Sequence, residues 1–350
     1  MSGRQISSVE GELIFQNRVP GKILLSGEYV VLDGATALGL ASRLGQSMEV
    51  YRGGVPGLLH WTAYNHLHKP WLQVTYQWVN RQWALHGTKG PASTEIEMLL
   101  NWLQTAWNLI ETQNQLTTDH TSPWADILQN EGLMVQTRID FPRGWGLGSS
   151  ATALALLAKW LGVDARLLYA LTQNGSGYDL EVALQDSSIL YQWPTDSRNN
   201  NSISVGSMGP IVQKINYRLP MNGQLWLIDS GSKQISSKEV FRYHNIDQKL
   251  RVACVPEISS ISIALAACTE VPVMMEYLVQ HDAIMERLLR QPSLHRLTGN
   301  SFPGRLKSLG AWGGDLFLAV TNRPDEALIW LNQRREWSLQ SFDQIIHCES

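Results

Sequence analysis

Residues 140–161 read DFPRGWGLGSSATALALLAKWL, and this stretch determines how the rest of the chain is interpreted. Apolar and polar residues alternate over residues 133–141, which predicts a half-buried strand. After the glycines, leucines and a tryptophan recur at helical spacing among alanines, which predicts a helix. The sequence therefore predicts a strand, a glycine-rich turn and a helix in immediate succession.

The turn itself contains Gly144, Gly146 and Gly148, followed by Ser149 and Ser150 where a helix N-cap belongs. Glycines let the backbone point several N–H groups at one place, and a helix start adds the positive end of its dipole, so the turn suits a phosphate. A Walker A loop would need a lysine after the last glycine, and a dinucleotide fingerprint would need a third glycine where the first serine stands. A serine-capped turn without any ligand remains an alternative at this point.

Length and composition limit the classes of protein to consider. A chain of 350 residues can form one or two domains, and its 44% hydrophobic content, 17% charged content and net charge of -3 give no electrostatic case for nucleic acid or an anionic membrane. No apolar run approaches the roughly 18 residues of a membrane span, and the first residues do not resemble a signal peptide. Three widely spaced cysteines argue against a disulfide framework. We expect a cytoplasmic protein.

The remaining chain alternates predicted strands, helices and turns. A turn is predicted at Pro20-Gly21, and loops are predicted over 113–123 and 194–210. Strands are predicted at 11–15, 23–25, 30–32, 37–40, 71–80, 83–85, 188–193, 225–228 and 316–321. Helices are predicted at 94–110, 164–171, 258–269, 272–289 and 325–334, and another begins near residue 236 or 237. This order suggests two α+β domains that meet near residue 215.

Four segments together resemble the motifs of the GHMP kinases, a superfamily that includes the mevalonate and phosphomevalonate kinases. Residues 20–28 fit P-G-K-x-x-x-x-G-E, and residues 142–151 fit P-x-x-x-G-L-G-S-S-A. Residues 307–315, KSLGAWGGD, are similar to the third motif, although Trp312 replaces a glycine. The segment GSGYDLEVA, residues 175–183, resembles the part that carries the catalytic aspartate, most closely in the GYDIA-type branch.

The resemblance implies a fold and a set of cofactors. The fold is α+β with two domains: residues 1–215 would form a ribosomal protein S5 domain 2-like N-terminal domain, and residues 216–350 a ferredoxin-like C-terminal domain. The cofactors would be ATP and Mg²⁺. The partner would be a small-molecule acceptor with a hydroxyl or a phosphate, without nucleic acid or membrane, and a homodimer stays open as the assembly.

The resemblance also implies roles for individual residues. Asp179 would be the general base, and Lys22 would stabilise charge beside it. Ser150 would help to hold the metal ion, and Glu28 would shape the site. The residues expected to contact the nucleotide are Gly144, Gly146, Leu147, Gly148, Ser149, Ser150, Ala151, Glu28, Gly310, Ala311, Gly313 and Gly314.

Departures from the motifs leave the substrate open. Mevalonate kinases supply a glutamate about a dozen residues before the aspartate, whereas residues 165–171 contain no acid. The Gly27-Glu28-Tyr29 sequence and Asp315 are more similar to phosphomevalonate kinases. We therefore expect mevalonate or phosphomevalonate as acceptor, in isoprenoid precursor synthesis. A diphosphomevalonate decarboxylase-like enzyme and a catalytically silent ligand-binding protein of the same fold are the alternatives.

Other polar residues carry weaker signals. Lys233, Lys238 and Arg242 follow a predicted strand where related kinases contact substrate, and a solvated helix face explains them equally well. His281 is expected on a helix surface or in the core rather than in a cleft. Cys254 and Cys268 are expected to be buried as small apolar residues.

Overall fold

The computed structural model describes residues 11–89, 93–116, 123–193, 209–231, 236–310, 312, 314 and 316–348. The chain forms two compact units, each assembled from several stretches of sequence. The first unit comprises Met1–Val19, Gly45–Arg143 and Ser149–Asn174, and the second comprises Pro20–Leu44, Gly144–Gly148 and Gly175–Ser350. The boundary between consecutive domains expected near residue 215 stays a prediction.

Two long strands, β1 (Glu12–Ser26) and β2 (Ala37–Arg52), contribute residues to both units. The other elements of the first unit are β3 (Leu58–Tyr64), β4 (Pro70–Val79), β5 (Gln82–Lys89), α1 (Ser93–Leu116), α2 (Pro123–Glu131), β6 (Leu133–Ile139), α3 (Ser149–Leu161) and α4 (Ala165–Thr172). Strand β6 pairs antiparallel with the second half of β2 and parallel with β3, and β4 and β5 continue this sheet antiparallel.

Tryptophans account for much of the packing in the first unit. Trp61 and Trp102 are fully buried. Five further indole rings contact one another in series, with centroid separations between 3.8 and 5.9 Å. These are Trp78, Trp83, Trp107, Trp124 and Trp160. The high tryptophan content of the sequence therefore serves this core, where large rings bury the most apolar area.

The second unit is richer in helices. In addition to a 3₁₀ helix (Val30–Asp33), it contains α5 (Tyr178–Gln185), β7 (Ile189–Gln192), β8 (Ile211–Lys214), β9 (Gln224–Asp229), α6 (Ser236–His244), α7 (Gln248–Ala253), α8 (Val255–Ala266), α9 (Val271–Leu289), α10 (Leu294–Leu297), β10 (Arg305–Ser308), β11 (Leu316–Thr321), α11 (Pro324–Asn332), β12 (Ser338–Ser341) and α12 (Phe342–Ile345). No helix in the described part of the chain has the length and apolar character needed to cross a membrane.

Two hydrophobic clusters organise the second unit. Strands β10, β11, β9 and β12 form an antiparallel sheet in that order, and α11 packs on it through Ala327 and Leu331. The second cluster joins the start of β2 and its partner β7 to α5, through Ala37, Val182 and Ile189 among others. This second cluster supports the helix that carries Asp179.

Most elements predicted from the sequence are confirmed. The strand that precedes the glycine turn is β6, and the helix that follows it is α3. The helix predicted over 164–171 is α4, and the carboxylate of Asp164 accepts hydrogen bonds from the N–H groups of Arg166 and Leu167 at 2.8 and 3.1 Å. Periodicity identified these helices because each has one face in a core.

The turn predicted at Pro20-Gly21 is wrong, because β1 runs through both residues. Proline is tolerated there since β2 is the one partner of β1 among the described strands, so that β1 lies at an edge where a missing N–H breaks no ladder. Gly21 is explained by the close approach of a second backbone segment. A Cβ on Gly21 would lie 2.9 Å from the carbonyl oxygen of Leu147, so this position needs a residue without a side chain.

The strand predicted over 30–32 is also wrong, because these residues form the 3₁₀ helix. Gly27 and Tyr29 both have positive φ, at 95° and 60°, and reverse the chain immediately before it. Val30 and Val31 are both buried, so their apolar character reflects a buried turn. Apolar runs this short do not distinguish a strand from a buried turn.

Several elements were not predicted, among them β3, β8, β10, α2, α7 and α10. The loop predicted over 113–123 is wrong at both ends, since α1 continues to Leu116 and α2 begins at Pro123. Residues 117–122 between them lie outside the described residues, as do residues 194–208 of the other predicted loop.

Candidate functional site

The glycine turn belongs to the second unit and lies against the first motif. The backbone N–H of Lys22 donates to the carbonyl oxygen of Leu147 at 3.0 Å. Gly146 and Gly148 have φ values of 62° and 86°, in the left-handed region that favours glycine. The glycine before Lys22 and the glycines of the turn therefore allow two backbone segments to approach closely.

The Lys22 side chain extends across this turn. Its ammonium donates to the carbonyl oxygen of Gly146 at 2.9 Å, and it lies 5.2 Å from the centroid of the Tyr178 ring. Burial lowers the pKa of Lys22, and the negative charge of Asp179 opposes part of that effect. The ammonium is thus half-buried, close to an aspartate, and hydrogen-bonded to a neutral carbonyl.

Asp179 lies in the first turn of α5, after Gly177, whose φ of 82° shapes the start of the helix. Its carboxylate accepts a hydrogen bond from the N–H of Leu180 at 3.0 Å. The turn before the helix is fixed by the Tyr191 hydroxyl, which donates to the carbonyl of Ser176. A carboxylate at a helix N-terminus is favourably placed relative to the helix dipole.

Gly148 is the point where these groups meet. A Cβ on this residue would lie 3.2 Å from Cγ and 3.4 Å from Cε of Lys22, and 3.9 Å from Cβ of Asp179. Lys22 and Asp179 are more than a hundred and fifty residues apart in the sequence. The lysine of β1, the glycine turn and the start of α5 are therefore brought into contact by the fold. The structure brings Lys22, Gly148 and Asp179 together, and the catalytic roles expected of Lys22 and Asp179 stay predictions.

Glu28 occupies a different environment from the one expected for a nucleotide contact. Its side chain is 2% exposed, and those of Lys307 and His281 are at most 1% exposed. The carboxylate accepts a hydrogen bond from the Lys307 ammonium and another from Nε2 of His281, the second at 3.0 Å. Burial alone would raise the pKa of Glu28, but the charge and hydrogen bonds of these partners outweigh it and lower that pKa. Glu28 thus holds three segments of the second unit together.

The third glycine-rich segment is held through its tryptophan. The Trp312 N–H donates to the Tyr29 hydroxyl at 2.8 Å, and the indole Nε1 donates to the carbonyl of Pro292 at 3.1 Å. Gly310 has a φ of 76°. The side chain at position 312 is buried, so the tryptophan anchors this segment. Ala311 and Gly313 lie outside the described residues, and the roles of Gly310 and Gly314 stay predictions.

Ser149, Ser150 and Ala151 form the first turn of α3 and belong to the first unit. The Ser150 side chain is exposed, and its hydroxyl donates to the sulfur of Met98 at 3.6 Å. Sulfur is a weak acceptor, so this contact holds the hydroxyl only loosely. The nucleotide and metal contacts expected of these residues stay predictions.

Several site residues were missed in the sequence. Tyr178 adjoins the predicted base, and Lys307 opens the third motif, so the motifs themselves contained that signal. His281 was expected on a helix surface or in the core; it is fully buried, and its pairing with Glu28, 253 positions away, has no local signal. Trp145, inside the glycine turn, donates from Nε1 to Asp229 at 2.8 Å, which ties the turn to the end of β9.

The other polar residues and the cysteines singled out in the sequence add nothing to the site. Arg242 is exposed on α6, whereas Lys233 and the Lys238 side chain lie outside the described residues. Cys254 and Cys268 are buried, as predicted. Among the described residues no group of three or more histidines, cysteines, aspartates or glutamates could hold a metal ion.

Comparison with known proteins relies on structure. No model of a known protein family matches the chain, and no curated protein matches it by sequence. Solved structures do match. Streptococcus pneumoniae phosphomevalonate kinase in complex with phosphomevalonate and AMPPNP aligns with a TM-score of 0.64 and 18% identity over 93% of this chain and 98% of that one.

Two further structures give the same result. Methanococcus jannaschii mevalonate kinase aligns with a TM-score of 0.61 and 14% identity, over 93% of this chain and 96% of that one. A D-glycero-D-manno-heptose 1-phosphate kinase from Bacteroides thetaiotaomicron aligns with a TM-score of 0.57 and 14% identity, over 93% and 94%. Near-complete coverage in both directions extends the likeness to the whole chain. The chain therefore has the two-domain α+β fold of the GHMP kinases, as its motifs predict.

Proposed function

We propose that this protein is an ATP- and Mg²⁺-dependent kinase of the GHMP type that phosphorylates a small molecule. The observation that carries the proposal is the meeting of Lys22, Asp179 and the glycine turn at Gly148. The fold alone would not carry it, because one fold supports many functions and function must be argued from the site. In this chain the site has the cation, the carboxylate and the glycine-rich backbone that phosphoryl transfer needs.

The proposed roles follow from the chemistry of each group. The acceptor oxygen, from a hydroxyl or a phosphate, attacks the γ-phosphorus of ATP, the proton of an attacking hydroxyl passes to the Asp179 carboxylate, and the bond to ADP breaks. Lys22 neutralises negative charge on the transferring phosphoryl group. Partial burial strengthens this effect, because charges interact more strongly where water is excluded. The negative charge of Asp179 favours the protonated form of Lys22.

The expected metal fits as an ion that arrives with the nucleotide. Proteins usually bind Mg²⁺ through one or two carboxylates together with substrate phosphates. When bound, the ion would neutralise phosphate charge, and the exposed Ser150 hydroxyl is the protein oxygen proposed to face it.

Mevalonate and phosphomevalonate are the proposed acceptors, because the sequence motifs and two of the structural matches point toward those kinases. The match to a heptose phosphate kinase widens the choice to sugars. An ADP-release assay should therefore test mevalonate, phosphomevalonate, diphosphomevalonate, homoserine, galactose and a heptose. Carbon dioxide release with diphosphomevalonate would favour the decarboxylase, and ATP binding without turnover on any acceptor would favour the silent protein.

The Asp179→Asn variant tests the mechanism. It should lower kcat by about 10²- to 10⁴-fold, since the proton acceptor is lost. ATP affinity, measured by calorimetry, should change little. Asp186→Asn is the matched control, because Asp186 is exposed at the opposite end of the same helix and asparagine tolerates its φ of 50°. Unchanged kcat in Asp179→Asn would remove Asp179 from its proposed role.

A further inference from the structure

We propose that Tyr178 is a positioning residue of the proposed kinase, whose ring face holds the Lys22 ammonium between the glycine turn and Asp179. This inference deepens the proposed function and rests on it for its catalytic consequence. The contact itself, a ring that holds an ammonium, is testable without any assay of activity.

The geometry is that of a cation–π contact. The Lys22 Nζ lies 5.2 Å from the ring centroid, within the distance of about 6 Å at which the negative face of an aromatic ring attracts a cation. The hydrogen bond to the Gly146 carbonyl fixes the ammonium from a second side. Asp179, the next residue along α5, supplies the negative charge that acts on it.

The ring is held firmly enough to position another group. Tyr178 packs against the cluster that joins β2, β7 and α5. A Cβ on Gly39 would lie 3.6 Å from Cδ2 of Tyr178 and 3.0 Å from Cγ2 of Val182, so a glycine in β2 is what lets α5 approach this closely. The ring position is therefore set by the packing of the helix on the sheet.

The phenol remains neutral in this environment. Burial raises the pKa of Tyr178 well above its usual value, and the carboxylates of Asp179 and Glu28 raise it further. Titration of Tyr178 therefore does not compete with that of Lys22, and among the described residues the charged group that acts on the Lys22 ammonium is Asp179.

A ring face suits this task better than a second carboxylate would. An ammonium has three N–H donors, and a ring attracts it without fixing those donors in one hydrogen-bond geometry. With one donor directed to Gly146, the other two have no hydrogen-bond acceptor among the described residues and can reach phosphate oxygens. A carboxylate bonded directly to the ammonium would instead occupy its N–H donors and neutralise its charge before the nucleotide binds.

The test weakens the ring face while keeping its size. Tyr178→Phe removes only the hydroxyl, and phenylalanine analogues with one, two and three ring fluorines then reduce the negative potential of the face stepwise. The pKa of Lys22 is read from the pH dependence of its acetylation by trace acetic anhydride, followed by mass spectrometry. Turnover is measured on the same samples, with KM for ATP and kcat determined separately.

Tyr178→Phe retains the ring face and serves as the reference from which the Lys22 pKa and the kcat of the fluorinated variants are measured. The fluorinated series should lower the pKa of Lys22 step by step and lower kcat by about tenfold by the third fluorine, with KM for ATP nearly constant. A Lys22 pKa that ignores fluorination would overturn the inference. A falling Lys22 pKa in a protein that transfers no phosphoryl group would support the contact and reject the proposed function.

Discussion

The second unit contains two arrangements of a lysine with a carboxylate, and they differ in exposure. The side chains of Lys307 and Glu28 are at most 2% exposed and are directly hydrogen-bonded, and His281 is a second donor to the Glu28 carboxylate. Lys22 is half-buried beside Asp179, and its hydrogen bond goes to a glycine carbonyl. The first arrangement is closed to solvent and the second is partly open.

The difference indicates what each pair can do. Two charges removed from water are tolerable only when each satisfies the other, and breaking such a pair leaves a buried charge without a partner. The Glu28 pair is therefore suited to holding segments together. A lysine attached to a neutral carbonyl retains its charge for a ligand, which suits the Lys22 pair to phosphate chemistry.

The largest expected effect is on the closed pair. Lys307→Met should destabilise the protein by about 3–5 kcal/mol, because Glu28 would keep a buried charge with His281 as its remaining partner. The midpoint of urea unfolding measures this loss. Lys249→Met, at an exposed position on α7, should change the free energy of unfolding by no more than about 0.5 kcal/mol. A Lys307→Met loss as small as that of the control would show that the pair is not structural.

The Lys22 and Asp179 pair should respond to a change in Gly148, the glycine of the turn that lies against both residues. Gly148→Ala should cost about 1–3 kcal/mol of stability, since alanine is strained at a φ of 86° and its Cβ would press on Lys22. The kcat of phosphoryl transfer should fall by more than the loss of stability alone would explain, because the alanine side chain displaces Lys22. Gly87→Ala is the control, because a Cβ there meets nothing within 4 Å. Equal effects of the two variants on kcat would contradict the placement of Lys22.

The pH dependence of stability should distinguish Glu28 from an exposed acid. Its pKa is lower in the folded protein than its usual 4.5, so its charge stabilises the fold above that value. This stabilisation is lost as pH falls below 4.5 and through the folded pKa. Glu28→Gln should be less stable than the wild type at pH 7, with the gap narrowing in acid. A constant gap from pH 7 to pH 3, measured by urea unfolding, would refute the shift.

The smallest expected effect concerns the third glycine-rich segment, which adjoins the closed pair in sequence. Trp312→Phe removes the indole hydrogen bond to Pro292 and should cost about 1 kcal/mol of stability. Because the backbone bond to Tyr29 remains, KM for ATP should change by less than about threefold. A large increase in that KM would show that the tryptophan contacts the nucleotide.

Much of the fold could be predicted because its helices and strands have one face in a core. The amphipathic patterns of α1, α4 and α9 each located a helix to within a few residues, apart from the extension of α1. Prediction failed at residues 20–21 and 30–32, where proline, glycine and valine have local preferences that tertiary packing overrides. Gly21 marks a close approach of two backbones, and a sequence does not say which backbone approaches.

The motifs of the sequence by themselves determined the glycine turn, the lysine and the aspartate, because backbone freedom and charge are properties of single residues. The tertiary structure alone decided that Gly148 lies against both Lys22 and Asp179, and that Tyr178 presents its ring to the lysine. It also decided that Glu28 is buried in hydrogen-bonded contact with Lys307 and His281, which are more than 250 residues away in the sequence. Burial and pairing depend on which distant segments meet, and only the packed chain determines that.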